Sequence, residues 1–509
     1  MNNGKSQMKW GVMLSYLNIG MNILLALCYT PFLLRSLGRG EYGLYSIAFA
    51  AVGLFSIFDM GLGLTNIRYT AKFRAEGKVE DERVLHGTNF LLYTFIGLFV
   101  LIVGLLFCSR TEDIFGRNLN ESDIPRLKTM LQFVIVSLSL SFPLSVFKYT
   151  NVGYERFLFV RMMEFLNILL VPGVSIILLL LDYKSVELII AISVINIIFL
   201  LLNACYSLFF LRIRFDFHIN RSFLKELVMY SFWIFLASVS FQLNNNANQF
   251  VLAIFAGAIP VAIYSLGFNL VINFQSLGFA VSSVFLPRIT KISSDNVDSQ
   301  KEYNSYFIAV GRLQFYILAL FLSGFIIFGK NFILLWAGSG YEYSYYVAII
   351  TMIPLSIHLI QTIGITILRA QNRQKYSSLL FVIMAIFNIV LSIFLSKYMG
   401  AIGCAISLAL TWFIGHGVLM NIFYYKKIGL DIPAFWKQIL KISRSLILPF
   451  IIGYLYVYFF QTDNWLNLSI GIVVFAVIYV INIIIFSFND FEKNIILTPI
   501  INILKRRNS

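Results

Sequence analysis

Apolar runs of about twenty residues, each closed by a polar or basic cluster, recur along the whole chain and predict membrane-spanning helices. Fourteen such runs fall near 11–34, 41–64, 86–107, 128–147, 158–181, 186–211, 229–256, 261–286, 307–329, 343–368, 377–396, 401–425, 443–460 and 466–487. Stretches such as Ile176 to Leu181 are apolar on every side, which excludes the in-out alternation of a membrane β-barrel. The expected class is an all-α integral membrane protein of about 14 helices. Composition agrees, since 59% of the 509 residues are hydrophobic and only 12% are charged, where a soluble domain carries about 25% charged residues. The longest polar stretch, Cys108 to Arg126, is too short for a separate soluble domain, so function is expected inside the membrane.

The net charge of +15 is first a matter of orientation. With the N-terminus cytoplasmic, 29 Lys and Arg fall in inside segments and nine outside, while Arg312 remains within a span. Both termini are therefore expected in the cytoplasm, and no nucleic-acid partner is implied. Cys28, Cys108, Cys205 and Cys404 form no C-x-x-C pair, and no metal or other cofactor is expected. P-loop, H-E-x-x-H and G-x-S-x-G motifs are missing from the sequence, so a non-enzymatic role is favoured.

The basic connector 212–228 suggests two six-helix lobes, 1–211 and 229–425, followed by two additional helices and a cytoplasmic tail over 426–509. An offset of 219 residues supports the repeat by aligning Gly38, Tyr45, Ser46, Phe49, Val52 and Phe55 with Gly257, Tyr264, Ser265, Phe268, Val271 and Phe274. Spans two and eight then run the same way, as in lobes related by an axis along the membrane normal.

Polar side chains inside spans are the candidate chemistry, because lipid cannot satisfy them. They are Asp59, the pair Arg161 and Glu164, Arg312, and the amide run Gln242, Asn244, Asn245, Asn246, Asn248 and Gln249, with Asn269, Asn273 and Gln275 following. Positions 242, 245, 246 and 249 share one helical face. Each group also has a structural reading. Arg161 and Glu164 at i, i+3 neutralise each other, and Asp59 serves a helix break at Gly61 and Gly63 or pairs with Arg68. The amides bond helices together, and Arg312 snorkels to cytoplasmic water. His358 and His416, with no metal-spaced partners, are expected to be packed core groups.

The segment Pro31 to Tyr45 (PFLLRSLGRGEYGLY), continuing into Asp59-Met-Gly-Leu-Gly63 and Arg68-Tyr-Thr-Ala-Lys72, resembles the amino-terminal signature of the polysaccharide biosynthesis proteins. These are Wzx-type lipid-linked oligosaccharide flippases of the multidrug/oligosaccharidyl-lipid/polysaccharide exporter superfamily. Gly153-Tyr-Glu-Arg-Phe157 and Met399-Gly-Ala-Ile-Gly-Cys-Ala405 look like later landmarks. The resemblance implies alternating access around a central cavity in a bacterial cytoplasmic membrane. The implied substrate is an undecaprenyl-diphosphate-linked repeat unit for surface polysaccharide such as O-antigen or capsule. The implied partners are membrane lipid, a polysaccharide polymerase and chain-length machinery. On this reading Arg312, Arg288 and Arg369 attract the diphosphate, Asn245, Gln249, Asn273 and Gln275 meet the glycan, and Asp59, Arg68, Arg161 and Glu164 couple or gate. Arg312→Ala is then expected to abolish export while the protein stays inserted. Span one has no internal Arg or Lys, unlike lipid II flippases, and no acidic residue, unlike cation-coupled multidrug exporters of the same fold. Such an exporter is the main alternative, ahead of a membrane polysaccharide polymerase or a non-transporting scaffold.

Overall fold

A computed structural model describes residues 2–218, 221–292, 299–371, 373–489 and 492–493, and these are helical with no strand among them. Lys505, Arg506 and Arg507 of the expected tail lie outside the described residues. In chain order the helices are α1 (Asn2–Phe55), α2 (Leu62–Glu76), α3 (Val79–Ser109), α4 (Thr111–Phe115), α5 (Asp123–Gly153), α6 (Phe157–Leu180), α7 (Ser185–Cys205) and α8 (Arg221–Phe255). They continue as α9 (Ala258–Ile292), α10 (Ser299–Ala337), α11 (Glu342–Leu359), α12 (Thr362–Ala370), α13 (Gln374–Trp412), α14 (Asn421–Phe423), α15 (Ile432–Ser443), α16 (Ile447–Phe459) and α17 (Trp465–Phe486).

Among the described residues, ten helices are long and apolar enough to cross a membrane, or eleven if the bent pair α11 and α12 is one span. The count of fourteen differs because helices run through expected boundaries. Expected spans one and two share the stretch Met13–Asp59, and spans eleven and twelve share Lys375–Ile428. Each stretch is broken by a glycine outside the helical region, Gly38 at φ 75° and Gly400 at φ 53°. Side-chain-bearing residues rarely adopt those angles, so glycine marks the place where the chain can leave one helix for the next. The amide-rich α8 is not among the ten.

The chain is a multi-pass membrane protein whose exposed helix faces are apolar. On α3, Phe95, Leu98, Phe99, Ile102 and Leu106 are exposed at helical spacing. That apolar stripe turns outward, as lipid requires and water would not. Polar groups are instead buried between helices.

Two compact units make up the chain, the first from residues 1–265 and 381–404, the second from 266–380 and 405–509. In the first, α2, α5 and α7 are joined by side-chain amides and hydroxyls. Asn66 Nδ2 donates to Thr150 Oγ1 at 3.1 Å, Asn151 Nδ2 to Asn203 Oδ1 at 3.2 Å, and Ser207 Oγ to Asn151 Oδ1 at 2.7 Å. In the second, α10 packs against α11, α15, α16 and α17. Its Phe307 packs against Phe435 of α15 with ring centroids 4.7 Å apart and planes at 39°.

Candidate functional site

The first unit holds a cavity of about 710 Å³. Arg161 and Glu164 line it, and the structure joins them at 2.7 Å between Nη1 and Oε2. A third charge completes the group, since Lys148 Nζ of α5 lies 3.0 Å from Glu164 Oε1. Two cations thus share one carboxylate, leaving one net positive charge in the cavity.

The remaining polar wall consists of amides and hydroxyls from α1, α5, α6 and α7, including Asn18, Asn22, Ser137, Ser141, Asn167 and Asn196. Asn167 Nδ2 donates to Asn196 Oδ1 at 3.0 Å, and Asn18 Nδ2 donates to the Arg161 carbonyl at 3.3 Å. Each of these amides retains capacity for a further partner. Sequence reasoning passed over them, although a signal was available: Ile189, Ser193, Asn196, Leu200 and Asn203 recur on one face of α7 and all line the cavity. Lys148 lies in the last two turns of α5, which runs on to Gly153.

Asp59 occupies the helix break that its neighbouring glycines suggested. The chain leaves a 3₁₀ turn, Ser56–Asp59, through Met60 at φ 53° and Gly61 at φ 70° before α2 begins. Tyr93 Oη donates to Asp59 Oδ1 at 2.6 Å, and Tyr149 and the Gly61 and Gly63 amides also bond to its carboxylate. The first N–H groups of a helix have no internal partner, and inside a membrane they need one. Asp59 supplies it. Asp59→Ala is expected to cost about 1–3 kcal/mol of stability by stranding these donors, with Asp59→Asn milder, read as thermal unfolding in nanodiscs. Arg68 is exposed on α2.

The amide run of α8 divides by role. Gln242 Nε2 donates to Ser56 Oγ at 2.9 Å and Asn246 Nδ2 to Gln242 Oε1 at 2.9 Å, holding α8 to the end of α1. The fully buried amide is Asn248, outside the stripe. It donates to Tyr264 Oη at 2.9 Å and accepts from Ser392 Oγ at 2.9 Å and Asn388 Nδ2 at 3.3 Å. Asn248→Leu is expected to lower thermal stability by about 1 kcal/mol or more, because three polar partners lose a buried bond. Asn245 and Gln249 are half-buried.

In the second unit, Gln275 is half-buried and Asn273 exposed, its Nδ2 donating to the Asn269 carbonyl of the same helix at 3.0 Å. Arg288 is exposed 5.9 Å from the Tyr306 ring centroid, and Arg369 is exposed in the last turn of α12. Arg312 does not snorkel. Its Nε and Nη2 donate to the Glu492 carboxylate at 2.6 and 2.9 Å, Nη1 to Gln438 Oε1 at 2.8 Å, and Nη2 also to the Ser487 carbonyl at 2.9 Å. The Arg312 and Glu492 side chains are 6% and 0% exposed, so this charge is consumed inside the unit.

Among the sequence landmarks, Tyr154 packs under the Arg74 guanidinium, 3.6 Å from its ring centroid. Burial, with the nearby Glu82 carboxylate, pushes the Tyr154 hydroxyl above its ordinary range. The landmark thereby ties the end of α2 to the start of α6.

Comparison with known proteins places this arrangement. Residues 9–293, over half the chain, match the family described as "Polysaccharide biosynthesis protein". A Shigella flexneri protein named as an O-antigen transporter is 22% identical over 392 residues, covering 75% of this chain and 90% of that protein. Among solved structures, the lipid II flippase MurJ in an inward closed conformation superposes with a TM-score of 0.75 at 16% identity, covering 94% of this chain and 98% of that one. An inward-facing multidrug resistance MATE transporter of the MOP superfamily gives 0.60 at 14% identity, covering 85% and 99%. The fold is shared with these two transporters, and the chain belongs to the polysaccharide biosynthesis protein family.

Proposed function

We propose that this protein is a flippase that carries undecaprenyl-diphosphate-linked oligosaccharide repeat units from the cytoplasmic to the outer leaflet of a bacterial cytoplasmic membrane. Transport proceeds by alternating access, with both termini cytoplasmic and no covalent bond made or broken. Family membership and the Shigella flexneri relative's name support the substrate class. A polymerase and chain-length machinery would take the product.

The observation that carries the reading is the cavity of the first unit. Sugar hydroxyls need donors and acceptors in pairs, which amides provide, and a phosphate needs cations, which Lys148 and Arg161 provide. In this division Asn18, Asn167 and Asn196 meet the glycan within the first unit, while Asn245, Gln249, Asn273 and Gln275 are further candidate glycan contacts and Arg288 and Arg369 further candidate contacts for the diphosphate. A cation-coupled multidrug exporter shares the fold. Binding a cationic drug calls for an uncompensated carboxylate, whereas Glu164 is held by two cations.

Proteoliposomes loaded with either lipid-linked oligosaccharide or a fluorescent cationic dye separate the two. Glycan reaching the opposite leaflet is the expected result; dye movement with static glycan would overturn the proposal.

A further inference from the structure

The polar groups of the first unit's cavity are sorted along its length. Its charges lie where α5 turns into α6: Lys148 stands near the end of α5 at Gly153, and Arg161 and Glu164 follow the start of α6 at Phe157. Asn203 of α7 marks the same end, because its Oδ1 accepts from Asn151 Nδ2 in the last turn of α5 at 3.2 Å. Among the described residues, no charge besides these three lines the cavity. Farther along the same helices come Ser141 of α5, Asn167 of α6 and Asn196 of α7, and then Val134 and Ile189 at the far end. Asn167 is three residues past Glu164, so it stands about 4.5 Å farther along the axis on the same face of α6.

Asn167 and Asn196 meet on the cavity wall, where Asn167 Nδ2 donates to Asn196 Oδ1 at 3.0 Å. One bond between two amides leaves an oxygen on one and an NH2 group on the other, here Asn167 Oδ1 and Asn196 Nδ2. Exchanging O and N in both amides leaves the same pair, so the result does not depend on which way they were turned. An acceptor and a donor side by side suit two neighbouring hydroxyls of a sugar ring. One O–H donates to the free oxygen, and the next hydroxyl oxygen accepts from the free NH2. Gauche hydroxyls on adjacent ring carbons stand about 3 Å apart, the spacing of the bonded amides themselves. Phosphates and carboxylates only accept, so they would leave the amide oxygen unpaired, and no cation lines this part of the cavity to hold them.

We propose that Asn167 and Asn196 are the specificity-determining pair of this cavity, reading two neighbouring hydroxyls on an uncharged sugar one helical turn from the diphosphate. This deepens the flippase reading and rests on it. A diphosphate held by Lys148 and Arg161 brings the sugar it carries to the amides. Such a pair discriminates by what it loses: an analogue without the hydroxyl leaves an amide unpaired, a larger penalty than a contact missing from an apolar wall.

The test is flipping in proteoliposomes of undecaprenyl diphosphate carrying glucose, its 2-, 3- or 4-deoxy analogue, or glucuronic acid. Wild-type protein is expected to move two deoxy probes, those altered at neighbouring carbons, about tenfold more slowly than the glucose probe. The glucuronic acid probe should also lag, and its moving as fast as glucose would overturn the restriction to uncharged sugars. Asn167→Ala and Asn196→Ala should carry the glucose probe at about the slow rate and no longer separate it from the deoxy probes. Variants slowed by one common factor on every probe would assign the amides to helix packing and overturn the proposal. Should the variants fail to accumulate, the wild-type series decides: two slow neighbouring deoxy probes support the pair, and equal rates overturn it. Lipid-linked oligosaccharide that moves while every monosaccharide probe stays put sinks this inference alone; if neither moves, the flippase reading falls with it.

Discussion

Arg312→Ala is expected to remove most of the protein from the membrane fraction. The guanidinium neutralises Glu492, a carboxylate with no exposed surface, and also holds Gln438 and the Ser487 carbonyl. Truncating it leaves an uncompensated buried charge, which costs about 3–5 kcal/mol, a large share of the stability of most proteins. The Glu492 side shows why the contact is built so tightly. Asn489 and Glu492 cap each other's backbone at 2.9 Å in both directions, and Tyr316 Oη lies 3.0 Å from the Glu492 carboxylate. The pair thus fastens the chain beyond α17 to α10. Replacing both partners by apolar residues of similar volume, Arg312→Met with Glu492→Leu, should restore abundance, because buried pairs are often dispensable when removed together. Immunoblotting of membrane fractions and thermal unfolding give both readings. A well-expressed, thermally stable Arg312→Ala protein that fails only in export would assign Arg312 to substrate instead, as its sequence position first suggested.

Removing the cations of the first unit's cavity is expected to act on transport rather than on folding. Lys148 and Arg161 keep 36% and 44% of their side-chain surface exposed, so Lys148→Gln with Arg161→Gln has less stability to lose than a buried pair. Charge-assisted hydrogen bonds to a phosphate contribute about 1.5–3 kcal/mol each, so with both cations removed export should fall by about two to four orders of magnitude. Adding Glu164→Gln to that variant keeps the cavity free of an unpaired carboxylate and separates loss of substrate contact from loss of charge balance. Glu164→Gln alone should do the opposite, binding the lipid-linked diphosphate more tightly and releasing it more slowly, because both cations are then free. Binding to nanodiscs and flipping in proteoliposomes resolve the two steps. Unchanged transport in the Lys148/Arg161 variant would remove this cavity from the substrate path.

Much of this architecture was legible along the chain. Apolar runs marked the helices, since a backbone crossing lipid must bond to itself, and Gly61 and Gly63 beside Asp59 marked a break that the coordinates contain. Arg161 and Glu164, three residues apart on one helix, were readable as neighbours. Lys148 joins them from another helix, and nothing in local spacing reports that. The same limit hid the partner of Arg312, which lies 180 residues away, and the contact between His358 and His416. For the amides of α8, one face was identified, but whether an amide on it meets a helix, a cavity or lipid depends on what packs there.

Hydropathy and residue order were enough to establish a helical membrane protein with polar groups where lipid cannot satisfy them, because burial in hydrocarbon constrains composition residue by residue. Which of those groups balance one another and which stay open to a ligand was settled by the packing of distant helices. A charge in a low-dielectric interior takes its role from whatever stands within a few ångströms of it, and in this chain that neighbour is seldom close in sequence.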